Sequence, residues 1–358
     1  MLKAISVPEG PYKVGSISLS KTDMSRPSRI GSKVMGRKLF VKIWYPAMPA
    51  KEAAYPERLW QQLQGRKDLP LIMRGVIRYQ NRYQTHTFSS LDSAETNDTP
   101  RVVIYSHGLI SFASESTHLM EHLASHGYIA IAVEHEEQLQ ELTGLRQKTS
   151  KEQRKEDAQL SASIQQASGV SKAELSRTYY SKAENTNQIT SQRSSDIAYL
   201  TEHLDELLQS IPNWRSEVPR KLPVALAGQS LGGAVATEFT KFHDRSVGVV
   251  NIYGGMYGTQ TSVPIYVPYL MMYSQDNTSS NADYIRDSAE HRHICVTVPE
   301  TKHLNFHELT MNLGFLRWLK QTGKARPQAV IAYKNKRILE FLNSLDWDQN
   351  EQDQVICT

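Results

Sequence analysis

Short apolar runs recur along the chain with helix-like segments between them. Leu39–Tyr45, Arg101–Ser106, Tyr128–Val133, Pro223–Ala227, Val247–Ile252, Tyr269–Tyr273 and His293–Val298 are rich in β-branched and aliphatic residues and mostly lack strict alternation. Such runs suit strands covered on both faces, and their rhythm predicts a mostly parallel sheet between helical layers, an α/β fold. The stretch Ser194–Leu208 carries apolar residues at helical spacing and is expected to pack on that sheet.

Two segments break the rhythm. Between residues 137 and 192 the chain turns polar, with Lys, Glu, Gln and Ser and few large apolar residues, which reads as an inserted cap, helical or loose. Residues 55–83 mix Trp60, Leu63, Leu69, Leu71, Ile72, Met73, Val76 and Ile77 with Arg66, Lys67, Arg74, Arg78 and Arg82. A basic amphipathic segment of this kind can lie on a lipid surface or pack on the core with an arginine-rich outer face. One α/β domain over 1–330 is expected, with 55–83 and 137–192 as insertions and 331–358 as a C-terminal extension whose acidic, amide-rich end frays.

Composition narrows the class only a little. Of 358 residues, 39% are hydrophobic and 22% charged, and the net charge is +4. That surplus, without a basic stripe and interleaved aromatics, does not favour nucleic acid. Cys295 and Cys357 give no disulfide framework, and no stretch approaches the ~18 apolar residues of a membrane span or resembles a signal h-region. A reducing, cytoplasmic setting is the expectation.

The chemistry concentrates at Gly228-Gln229-Ser230-Leu231-Gly232, between the run Leu222–Ala227 and the helix-friendly Gly233–Phe239. In that context G-x-S-x-G is a nucleophile elbow: small residues let a strand turn sharply into a helix, lifting the serine hydroxyl clear and placing the next amide at a helix N-terminus. A hydrolytic serine needs a base, a group to orient the base, and donors for the oxyanion. His303 follows the last predicted strand, where the order serine, acid, histidine places the base. Leu231 supplies one oxyanion amide, and the second is expected from Leu109 in Ser106-His107-Gly108-Leu109. Of the other histidines, His291 and His293 with Cys295 are not read as a metal site. His303 and His307 lack the glutamate of H-E-x-x-H. No metal and no cofactor is expected.

Pro8–Gly15, Ser106–Leu109, Leu123–Tyr128 with Val133-Glu134-His135, Gly228–Ala234 and His303–Phe306, in this order, resemble the platelet-activating factor acetylhydrolase family of serine lipases, plasma or isoform II type. The resemblance runs from about Pro8 to Trp318. It implies an α/β-hydrolase fold, no metal, and hydrolysis of short or oxidised acyl chains from phospholipids and related esters. It also implies Ser230 as nucleophile, His303 as base, Leu109 and Leu231 as oxyanion donors, and an interfacial helix over 69–79.

Two positions depart from the family pattern. Asn251-Ile252-Tyr253-Gly254 stands where members commonly read Asn-Leu-Asp-Gly, so Tyr253 occupies the position of the acid. With a pKa near 10, a tyrosine cannot serve as an anionic partner for imidazolium. Asp276, after the next apolar run, is the substitute where many α/β-hydrolases keep their acid; its alternative is an ordinary loop residue. Glu136-Glu137 stands where the family usually has arginine and aspartate. The expected function is serine hydrolysis of short-acyl esters through an acyl-enzyme. The Tyr253 position leaves room for a non-catalytic binding protein, and an alcohol acceptor would make the enzyme an acyltransferase.

Overall fold

The computed structural model describes residues 3–4, 6–28, 32–49, 56–67, 69–96, 99–109, 111–136, 151–215, 218–219, 221–259, 263–275 and 292–347. Asp276, Glu137, His291 and Cys357 lie outside them. Eleven strands form in chain order among these residues: β1 Lys3–Ala4, β2 Lys13–Pro27, β3 Met35–Ala47, β4 Tyr83–Gln84, β5 Thr87–Ser89, β6 Arg101–Ser106, β7 Tyr128–Glu134, β8 Val224–Gln229, β9 Ser246–Ile252, β10 Tyr269–Ser274 and β11 His293–Val298. The principal helices are α1 Leu71–Gln80, α2 Thr117–Ser125, α3 Lys151–Gln166, α4 Gly169–Lys182, α5 Glu184–Glu202, α6 Leu204–Gln209, α7 Leu231–Thr240 and α8 Pro327–Asn343.

Nine strands make one sheet in the order β11-β10-β9-β8-β6-β7-β3-β2-β5. The six from β11 to β7 are parallel, while β3 runs antiparallel to both β7 and β2. The run Leu39–Tyr45 is therefore the start of an antiparallel wing rather than one more parallel strand. This is the architecture of an α/β-hydrolase.

Alternation along each central strand divides its residues between two cores. In β7, Ile129, Ile131 and Val133 face the layer of α5, α6 and α7, with Ile197, Leu200, Leu207 and Phe239. Tyr128, Ala130 and Ala132 face α2 and α8, with Leu119, Leu123, Ile338 and Phe341. Both faces are apolar because both are covered, which is why the sequence shows runs rather than alternation. Helix α8 crosses the boundary expected at 330/331, and Ile338, Phe341 and Leu342 are part of the second core.

The polar segment before Ser194 is helical over α3, α4 and most of α5. Ile164, Tyr180 and Ile189 of this segment are buried, while Val170 is exposed. In the other insertion, α1 settles Ile77 on a small cluster with Leu59, Trp60, Leu63 and Phe112, while Leu71 and Ile72 at its start are 78% and 85% exposed. Among the described residues no helix is long and apolar enough to cross a membrane.

Candidate active site

Strand β8 ends at Gln229 and α7 begins at Leu231, leaving Ser230 alone to make the turn. It does so at φ 55° and ψ −122°, a conformation that costs a non-glycine residue of order 1–3 kcal/mol and persists only where its surroundings impose it. The surroundings are glycines. A Cβ at Gly228 would fall 2.2 Å from the Gly232 carbonyl carbon, and one at Gly232 would fall 1.9 Å from the Ser106 carbonyl oxygen. Such close backbone approach lets α7 start directly over the strand ends, with the Leu231 amide in its first turn.

Asn251 braces the turn from the neighbouring strand. Its Oδ1 accepts the Gly254 N–H at 2.6 Å, and its Nδ2 donates to the Tyr269 hydroxyl at 2.8 Å. Since Gln229 pairs with Ile252, Ser230 and Tyr253 leave adjacent strands side by side. Tyr253 also takes a left-handed conformation, φ 58°, and its ring meets that of His303 edge-on, with centroids 4.3 Å apart and planes at 88°. His303 opens a single 3-10 turn, His303–Phe306, fixed by Asn305, whose Oδ1 accepts the N–H groups of Lys302 (2.8 Å) and Gly323 (2.7 Å). Thus Ser230, Tyr253 and His303 all follow the carboxyl ends of parallel strands, with Tyr253 leaving the strand beside Ser230 and touching His303. The position that carries the acid in the resembling family does touch the histidine, but as an aromatic edge.

The loop after β6 leaves the same end of the sheet. Gly108 lies against the elbow, and a Cβ there would sit 3.7 Å from Ser230 Cβ. The Gly108 N–H is taken by Glu115 Oε1 at 3.0 Å, and the next amide along is that of Leu109. Leu109 packs with Leu231, Ile189, Ala234 and Tyr257, and this apolar cluster adjoins both proposed oxyanion amides. Tyr257 is in turn held by an edge contact from Tyr180 of α4, with ring centroids 4.9 Å apart.

Behind the loop is a set of buried polar groups that local sequence did not single out. Ser106 Oγ lies 3.0 Å from His135 Nε2, and His135 Nδ1 lies 2.7 Å from Asp196 Oδ2. Arg37 grips Asp196 with both arms, at 2.6 and 2.7 Å. Burial pushes the His135 imidazole down to about 4, and the Asp196 carboxyl is held well below the usual carboxylate range despite its burial, by hydrogen bonds from His135 and Arg37. The neutral imidazole therefore donates from Nδ1 to the carboxylate and accepts the serine hydroxyl at Nε2. Its spacings match a hydrolytic triad, yet Ser106, His135 and Asp196 are sealed in the interior at 1% exposure or less.

Glu115 is another buried carboxylate. It accepts from the Tyr105 hydroxyl at 2.7 Å, and its Oε2 lies 3.2 Å from His307 Nε2. Burial works against its charge, but His307 outweighs it and holds the carboxyl down at about 2. The second histidine of the His303/His307 pair is thus engaged with Glu115. Among the described residues no group of three His, Cys, Asp or Glu side chains is placed to hold a metal ion.

A family match and one solved structure agree with this architecture. The platelet-activating factor acetylhydrolase, isoform II, family matches residues 2–357. The ferulic acid esterase of Streptomyces cinnamoneus superposes with a TM-score of 0.70 at 16% identity, over 98% of this chain and 97% of that one. A dienelactone hydrolase-like promiscuous phosphotriesterase from metagenomic libraries gives a TM-score of 0.45 at 10% identity, over 92% of this chain and 98% of its own. No curated protein sequence matches the chain. By its family match across nearly the whole length, the chain belongs to the platelet-activating factor acetylhydrolase, isoform II, family and is a carboxylic ester hydrolase.

Proposed function

We propose that the chain hydrolyses short-acyl esters through an acyl-enzyme on Ser230. The observation that carries this reading is the strained serine at the head of α7, with Tyr253, which leaves the neighbouring strand, touching His303. Ser230 Oγ attacks the ester carbonyl as His303 takes its proton. The tetrahedral oxyanion rests on the amides of Leu109 and Leu231, and His303 returns the proton to the departing alkoxide. Water then repeats the sequence in reverse order of partners and releases the acid. Asp276 is the proposed orienting acid, following β10, and no cofactor enters any step.

The wall formed by Leu109, Ile189, Leu231 and Tyr257 suits a short acyl chain, because it is apolar and lies beside the amides that would hold the carbonyl oxygen. Phospholipids of the platelet-activating-factor type are one such substrate. A lipid surface fits the exposed apolar side chains Leu71, Ile72 and Trp318, the last 83% exposed, which stand near Arg74, Arg78 and Arg317. Vesicle co-sedimentation is expected to weaken when Leu71 and Ile72 become serine; unchanged binding excludes this contact.

The test of the chemistry is hydrolysis of a p-nitrophenyl ester series from acetate to octanoate by wild type, Ser230→Ala and Asp276→Ala. Turnover should fall with chain length, vanish in Ser230→Ala, and drop by about 10⁴-fold in Asp276→Ala if the imidazole loses its tautomer and orientation. A small effect at Asp276 makes it a loop residue. Full activity in Ser230→Ala refutes the mechanism.

A further inference from the structure

The loop Ser106–Leu109 serves the site with backbone alone, so whatever fixes its peptide planes fixes the oxyanion hole. Two buried charged side chains hold it from opposite sides. Arg193 of α5, with no solvent exposure, donates from Nη1 to the carbonyls of His107 at 3.3 Å and Gly108 at 3.4 Å. Glu115, also buried, accepts the Gly108 N–H at 3.0 Å.

The His107 carbonyl and the Gly108 N–H belong to one peptide unit, and in a trans peptide they point in opposite directions. That unit lies with its oxygen on a cation and its hydrogen on an anion. Turning it over would set the oxygen against a carboxylate. The carbonyl of the next unit, Gly108 O, is held by the same guanidinium and by His107 Nδ1 at 2.6 Å. Burial keeps the His107 ring neutral, so Nδ1 donates while Nε2 accepts from the His135 N–H at 3.4 Å. The N–H of that second unit is the Leu109 amide, and with its carbonyl turned toward Arg193 it must point away from Arg193.

The geometry points to Arg193 as a positioning residue for the oxyanion hole, with Glu115 as its counterpart on the other side of the same peptide. Neither side chain touches substrate; both act by holding the Leu109 amide in place. The same helix reaches the loop a second time through Asp196, His135 and Ser106, so α5 governs the entry to the loop and its tip together.

This inference rests on Leu109 being an oxyanion donor, and its test separates the two. Wild type is first labelled with a fluorophosphonate and assayed on p-nitrophenyl acetate; an enzyme that does neither defeats the parent reading and this one with it. Arg193→Lys and Glu115→Gln, checked for folding by circular dichroism, are then compared for kcat, KM and affinity toward two inhibitors. One is a trifluoromethyl ketone, to whose carbon Ser230 Oγ adds while its proton passes to His303 and the ketone oxygen becomes the anion. The other is the matching methyl ketone, which binds without forming that anion.

Arg193→Lys is expected to lower kcat and trifluoromethyl-ketone affinity by about 10²-fold, the effect of displacing a reacting group by ~1 Å, with KM and methyl-ketone affinity within about twofold. Glu115→Gln retains an acceptor for Gly108, and a loss of roughly 10-fold in the same two quantities is expected. Active wild type with both inhibitors weakened alike, or with neither weakened in a folded variant, overturns the inference and leaves the parent reading standing. Should Arg193→Lys not fold, Glu115→Gln carries the test, since it reaches the same peptide from the opposite side.

Discussion

Two serine–histidine sets occur in this chain, one sealed in the interior and one half-buried beyond the ends of the parallel strands, and we assign the chemistry to the second. Ser106, His135 and Asp196 have the donor–acceptor order and spacing of a hydrolytic triad, at 3.0 and 2.7 Å, but they are sealed in the interior with Arg37 behind them. Ser230 and His303 stand beyond the ends of the parallel strands, half-buried, with an elbow that keeps the serine in a strained conformation. Both sets pair a serine with a histidine; burial and backbone strain differ. The buried set ties β6 and β7 to α5, whereas Ser230 and His303 keep part of their surface exposed. The backbone of Ser106 adjoins both, since its carbonyl is packed against Gly232 and the loop after it carries the amide proposed for the oxyanion.

The sharpest way to break this comparison is to remove each serine. Ser230→Ala is expected to abolish ester hydrolysis, a loss of about 10⁴-fold or more as when a triad member is removed, with melting temperature held, because alanine keeps the Cβ and with it the same backbone strain. Ser106→Ala should leave kcat within about threefold and cost roughly 1 kcal/mol of stability, the worth of one buried hydrogen bond. Comparable activity losses from the two would erase the distinction. Chemical denaturation of Asp196→Asn sharpens it further: with Arg37 left without its carboxylate, a loss of about 3–5 kcal/mol is expected.

The smallest effect is in pH. His135 and His122 are each pushed down to about 4 by burial, so they are neutral when folded and bind protons on unfolding between 6.5 and 4; the stability they contribute is present above 6.5 and lost as pH falls. Glu121 on α2 runs the other way. Burial raises its carboxyl from 4.5 to about 7, so its contribution is present below 4.5 and lost as pH rises through 7. Glu121→Gln should therefore gain stability relative to wild type at pH 8 and lose that gain by pH 5. Melting curves at the two pH values check this, and an equal shift at both would contradict it.

The parallel strands were legible because burial on both faces writes an unbroken apolar run, and Arg101–Ser106 falls where it was expected, to the residue. The 15-residue strand β2 was not, since Ser16, Ser18, Ser20, Lys21 and Thr22 dilute its pattern and it pairs antiparallel on the outer wing. The elbow was legible from local spacing alone, and His303 from its place after the last strand. Glu115, Arg193 and Asp196 were not. Arg37 and Asp196 are 159 residues apart, and nothing local marks a charge whose partner arrives only through the fold. Tyr253 was noticed as a missing acid; that it packs edge-on against His303 needed the structure.

The chemistry is assigned to the strained serine beyond the end of β8 and not to the buried triad behind it. Labelling the native enzyme with a fluorophosphonate and locating the adduct by peptide mass spectrometry tests it most directly. The account predicts stoichiometric modification of Ser230 with Ser106 untouched, and loss of ester hydrolysis in step with labelling. An adduct on any other serine, or full hydrolysis after Ser230 is modified, would contradict it.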